Sequence, residues 1–136
     1  LVALVAVKKL RLLESRPNEK VVYAHVAGQP LALHVFHAQR RGDTPAPALL
    51  MFHGGRWLYS GPDQLYPQCE YFAAQGFTCF SAQYRLGTQG RPDVRGSVAD
   101  ARAAFDYLAA HADALGIDAR KIAVAGASSG GHLAAA

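Results

Sequence analysis

Cysteine, methionine and tryptophan are scarce in this chain, which has two, one and one of them among 136 residues. Two cysteines, Cys69 and Cys79, are too few for a disulfide scaffold and lack metal-ligand spacing, so they read as buried thiols. No apolar run approaches the ~20 residues of a membrane span. The longest, Leu1 to Val7, is closed by Lys8-Lys9. A signal peptide carries its positive charge before the apolar stretch, and here the order is reversed. The compartment stays open, cytoplasmic or exported. Charge is low as well, at 18% of residues, and the 14 basic side chains outnumber the 10 acidic ones only to a net +4. The basic residues are scattered, whereas a nucleic-acid face needs them clustered. Nucleic acid is therefore not an expected partner.

The composition that remains is that of a globular domain, with 51% of residues apolar and mean hydropathy near zero. A chain of this length buries roughly two-thirds of its unfolded surface, enough for one sizeable core. It allows one domain or a piece of a larger one. The first residue is not methionine, so the natural start is expected to lie upstream or to have been removed.

Residues 1–17 read as an N-terminal extension, with a short helix over Leu1 to Ser15 ended by Arg16-Pro17-Asn18. Val21 to Ala27 and Leu31 to His37 alternate around Gly28-Gln29-Pro30, which predicts a β-hairpin. Gln39 to Pro47 is polar and reads as a surface loop. Ala48 to Phe52, Phe77 to Ala82 and Ile122 to Ala125 are apolar without alternation, as in strands covered on both faces. Between them, Leu65 to Gln75 and Pro92 to Leu115 carry helical periodicity. The second stripe runs Val94, Val98, Ala101, Phe105, Leu108 and Leu115, skipping one position at Ala112. Gly116 stands where a left-handed C-terminal residue belongs, with Ile117 able to pack beneath it. Hairpin, strand, helix, strand, helix, strand predicts a mixed α/β sheet that becomes parallel. Its last strand should be central, so residues 18–136 are expected to be the N-terminal part of a larger domain.

Two motifs carry chemistry. Gly126-Ala127-Ser128-Ser129-Gly130 opens an Ala-rich segment directly after an apolar strand. In G-x-S-x-G the strand turns abruptly into a helix, and small residues two positions either side let the two pack around a strained corner serine. The corner hydroxyl then stands beside the unpaired N–H groups of the helix start. The second motif, His53-Gly54-Gly55-Arg56-Trp57, follows the strand Ala48 to Phe52. Its glycines let backbone N–H groups face an oxyanion, each such donor being worth about 3 kcal/mol.

With both motifs in this order, the sequence resembles the α/β-hydrolase fold. The likeness is to the esterase and lipase branch related to hormone-sensitive lipase and to the carbohydrate-esterase-like enzymes beside it. Tyr84-Arg85-Leu86 and Val98 to Ala104 add to it. The resemblance implies a mostly parallel sheet with helices on both faces and an antiparallel N-terminal hairpin, truncated after the nucleophile elbow. It implies a serine hydrolase, most readily a carboxylesterase or lipase, with Ser128 as nucleophile and the N–H groups of Gly55, Arg56 and Ser129 as oxyanion donors. His53 would support the oxyanion loop, and Trp57 would line the substrate pocket. Many relatives have glycine where Arg56 stands and alanine where Ser129 stands. No metal or cofactor is implied, and the substrate would be a small ester.

The resemblance also implies an acid and then a histidine downstream of the serine. Only eight residues follow Ser128, none acidic, and His132 lies on the same helix. The segment alone is therefore expected to be inactive, and its open sheet edge to pair with another chain or form a homo-oligomer. His25, His34, His37 and His111 read as structural or solvated, and Asp100 as making local helix contacts. Two alternatives stand beside this reading. Gly126 to Gly131 resembles the turn of NAD(P)-dependent short-chain dehydrogenases, although His132 replaces the third glycine and His53 to Trp57 is left unexplained. A non-catalytic relative on the same fold is the other.

Overall fold

The computed structural model describes residues 14–40 and 42–136. The helix expected over Leu1 to Ser15 lies, but for its last two residues, outside the described residues. Five strands form one sheet in the order β1-β2-β4-β3-β5, with β1 Glu19–Val26, β2 Gln29–Phe36, β3 Ala46–Phe52, β4 Thr78–Ala82 and β5 Ile117–Gly126. The β1–β2 and β2–β4 pairs are antiparallel, while β3 runs parallel to both β4 and β5. Three helices accompany them, α1 Tyr66–Ala74, α2 Val94–Ala110 and α3 Ser129–Ala135, and a 3-10 turn over Pro62–Leu65 leads into α1.

Alternation on β3 sorts the core into two layers. Leu50 and Phe52 face α2 and α3 and pack with Ala101, Ala104, Leu108 and Leu133. Leu49 and Met51 face α1 and pack with Leu65, Cys69 and Ala73. Six of the seven β3 residues are buried, each large side chain contributing about 2–3 kcal/mol by leaving water. Cys69 and Cys79 are free and buried, as expected. A hydrogen bond with Cys79 and, after it, burial push the Cys69 thiol up.

Local chemistry shifts several boundaries. The hairpin turn is Ala27-Gly28, at φ 49° and 75°, rather than Gly28-Gln29-Pro30, because Val26 pairs with Gln29 and His25 with Pro30. Two positive φ values match the twist of a two-residue hairpin. β3 starts at Ala46, so Ala46 and Pro47 belong to the strand and not to the preceding loop. α2 ends at Ala110, five residues before Leu115. The chain then makes another turn, closed by Ile117 N to Ala112 O at 3.0 Å and Gly116 N to Asp113 O at 3.1 Å. Those two bonds, with Gly116 at φ 65°, form a Schellman cap. Ala112 is buried and Phe105 is 39% exposed, so the stripe is rotated from the one in the sequence. Among the described residues, β5 pairs with β3 alone.

Candidate active site

Two loops meet because β3 and β5 are parallel neighbours in register. Phe52 faces Gly126 across the ladder, so the segments that follow both strands leave the same edge of the sheet. Ala127 N donates to Phe52 O at 3.1 Å and fixes the approach.

The turn out of β5 is tight. Ser128 sits at φ 52°, ψ −117°, a strained conformation for a residue with a side chain, just before α3. Its side chain is exposed and makes no capping bond. The two flanking glycines are required by close contact. A Cβ on Gly126 would lie 2.1 Å from Gly130 O, and one on Gly130 would lie 2.0 Å from Phe52 O. Their missing side chains are taken up by strand–helix packing, which leaves no call for a phosphate to explain them. Trp57 packs its ring edge-on against His132, with centroids 5.4 Å apart, so the His132 ring lies over the loop.

The loop after β3 lies against this corner. A Cβ on Gly54 would stand 2.9 Å from Ala127 O and 3.3 Å from Ser128 Cβ, so glycine is what allows the two backbones to touch. The N–H groups of Gly55, Arg56 and Ser129 have no backbone acceptor among the described residues. The N–H of Gly54 is occupied instead, donating to Gln64 Oε1 at 2.7 Å. Arg56 and Trp57 both adopt left-handed backbone, at φ 57° and 60°. The Gly55 carbonyl accepts from Leu58 N and Tyr59 N, both at 3.0 Å.

His53 is 1% exposed. Its Nδ1 lies 2.8 Å from Gly54 O; a carbonyl only accepts, so Nδ1 carries the proton. Its ring stacks on Tyr84 with centroids 4.4 Å apart, and the Tyr84 hydroxyl donates to His53 O at 2.8 Å. Burial lowers the His53 pKa, against the opposing pull of the Gly54 carbonyl and Asp63, and keeps the imidazole neutral. Burial raises that of Tyr84, partly offset by the nearby Ser129 hydroxyl. His53 thus sits inside the loop as a brace.

The outer frame depends on a contact that sequence reasoning missed. Asp100, read as making local helix contacts, instead takes Arg85 from the loop after β4. It accepts from Arg85 N at 2.8 Å, Nε at 2.9 Å and Nη2 at 2.7 Å. Asp100 is 3% exposed, and removing the guanidinium from so buried a carboxylate costs about 3–5 kcal/mol. Gly87 N then donates to Trp57 O at 2.8 Å, linking that loop to the one after β3. Asp100 lies off the apolar stripe read in the sequence and is buried only because the inward face of α2 is rotated from that stripe, so periodicity gave no signal for it. Gln64 gave none either.

Three other histidines lie apart from this corner. His34 Nδ1 meets the Tyr66 hydroxyl at 2.6 Å, His37 pairs with Glu19 at 3.3 Å and His111 bonds Tyr107 O at 2.9 Å. Tyr59, in the loop after β3, and Tyr71 are exposed, and Phe72 meets Phe77 edge-on. Among the described residues no group of three or more His, Cys, Asp or Glu could hold a metal. No described helix is long and apolar enough to cross a membrane.

Comparison with known proteins bears on the same region. The BD-FAE family model matches residues 33–136. Esterase LipC of Mycobacterium tuberculosis is 36% identical over 119 residues, covering 87% of this chain and 28% of its own. Ethyl acetate hydrolase of Pseudomonas putida is 38% identical over 96 residues, 68% of this chain and 30% of its own. The solved structure of a Thermogutta terrifontis esterase with propionate bound superposes with a TM-score of 0.80 at 39% identity. That match covers 86% of this chain and 43% of the other. The chain spans less than half the length of each of these relatives.

Proposed function

The chain belongs to the BD-FAE family, a group of α/β-hydrolase esterases, and from that premise we propose that the protein hydrolyses carboxylic esters through Ser128. The observation that carries this reading is the contact between the two loops, with Gly54 packed on Ser128 and with the N–H groups of Gly55, Arg56 and Ser129 left without a backbone acceptor among the described residues. Ser128 Oγ attacks the ester carbonyl carbon as a base takes its proton. The carbonyl oxygen becomes an oxyanion facing the N–H groups of Gly55, Arg56 and Ser129, which sit ready for charge that develops only in the transition state. The C–O bond to the alcohol breaks, leaving an acyl-serine that water then hydrolyses. His53 stays neutral and holds the loop, and Trp57 walls the pocket.

We assign the base and its acid to parts of the protein outside the described residues. His132 packs on Trp57, and no described histidine bonds Ser128. Residues 18–136 are then one part of a single α/β-hydrolase domain, and the outer edge of β5 takes up a further strand, from the same protein or a second copy. The substrate is a small ester, and no cofactor takes part.

In the whole protein, Ser128→Ala should remove nearly all turnover of a short-chain aryl ester and all labelling by an organophosphonate. Full labelling of the alanine variant would overturn the assignment.

A further inference from the structure

We infer that Gln64 is a positioning residue that selects which N–H groups of the oxyanion loop face the substrate, an inference that rests on the esterase reading above. Its Oε1 accepts from Gly54 N at 2.7 Å and its Nε2 donates to Ser60 Oγ at 3.1 Å. One side chain therefore ties both ends of the segment from Gly54 to Ser60 to the 3-10 turn before α1. That segment holds three non-glycine residues at positive φ, Arg56 at 57°, Trp57 at 60° and Ser60 at 72°. Such backbone is costly and persists only where its surroundings over-determine it.

The chemical consequence lies in the choice of donors. Gly54, Gly55 and Arg56 are consecutive, and an N–H already committed to an amide oxygen cannot serve an oxyanion. Gln64 takes Gly54 out of the set and fixes the peptide plane between His53 and Gly54, while the next plane, between Gly54 and Gly55, is held by His53 Nδ1 on the Gly54 carbonyl. Gly54 has no room to turn away, with the Ala127 carbonyl 2.9 Å from its Cβ position. Among the described residues, the N–H groups of Gly55 and Arg56 have no acceptor. An amide does this without charge, whereas a carboxylate at the same place would stand close to the forming oxyanion and oppose it.

Gln64 is exposed, so Gln64→Met removes the acceptor with little change to the core. In the whole protein, with a short-chain aryl ester, kcat should fall about ten- to a hundredfold, the scale expected when donors are displaced rather than deleted. KM should stay within about threefold, as for an interaction made only in the transition state. The rate of labelling by an organophosphonate should fall by a similar factor, with the melting temperature nearly unchanged. Gln64→Glu restores the acceptor for Gly54 and adds the charge, so it should run faster than the methionine variant and slower than wild type, its deficit widening at low salt. Wild-type kcat in Gln64→Met, or a glutamate variant no better than methionine, would overturn the inference. So would a loss of kcat that simply follows melting temperature across the two variants. If Ser128→Ala is inert while Gln64→Met is fully active, the inference alone fails; if Ser128→Ala keeps its turnover, the esterase reading fails with it.

Discussion

Left-handed backbone at the hairpin tip and left-handed backbone at the candidate site are held differently. At the tip of the β1–β2 hairpin, Ala27 and Gly28 have φ 49° and 75°, and a Cβ on Gly28 would meet nothing within 4 Å. Around the candidate site, Ser128, Arg56 and Trp57 have similar φ, but the glycines beside them are hemmed in by backbone, as at Gly130, where a Cβ would lie 2.0 Å from Phe52 O. The hairpin turn is a local matter, settled by the twist of two strands and a residue that tolerates the conformation. The site's strain is imposed from outside, by two parallel strands delivering their loops to one point. Strain stored against packing positions groups accurately, and a turn in open solvent positions little.

The contrast can be broken most forcefully at Gly130. Gly130→Ala should cost several kcal/mol, on the order of the largest single-residue effects, because its Cβ position is filled by the carbonyls of Phe52 and His53 at 2.0 and 2.5 Å. Thermal unfolding of the variant checks this, and a melting temperature within two or three degrees of wild type would show the elbow to be looser than the contacts imply.

Acid sharpens the contrast from the side of His53. Burial lowers its pKa in the folded state, and that of His34 moves the same way for the same cause. Above pH ~6.5 both are neutral folded and unfolded, and the stability tied to their burial is fully present. As pH falls below ~6.5 the unfolded chain takes up protons first, and stability declines until the lowered folded pKa is passed. Urea unfolding between pH 7.5 and 5 should show this fall, and His53→Gln should flatten part of it. An unchanged slope in the variant would remove His53 from the account.

The mildest effect belongs to the hairpin. Gly28→Ala should cost only about 1 kcal/mol, from positive φ alone, and leave ester turnover untouched. A larger loss, or any change in kcat, would mean that the turn reports on the site after all.

Much of the fold was legible because its signals are local. Runs such as Leu49 to Phe52 announce a strand covered on both faces, Gly116 announces the cap before Ile117, and Gly126-x-Ser128-x-Gly130 announces a turn that needs small neighbours. Where a boundary moved, a weaker local preference had yielded to pairing. Pro47 joined β3 because Ala46 and Ala48 find partners on β5, and α2 stopped at Ala110 because the chain had to turn for Ile117 to reach Ala46.

By itself, then, the sequence determined which segments are strands and helices, where the corner serine stands and where a loop of glycines follows a buried strand. Tertiary structure alone decided that β3 and β5 lie side by side, that Gln64 and not solvent occupies the Gly54 N–H, and that Asp100 takes Arg85 from the loop after β4. Propensity and periodicity act over a few residues and leave their mark in residue order. A hydrogen-bond partner is chosen by which surfaces the sheet brings together, and ten or fifteen residues of intervening chain carry no record of that choice.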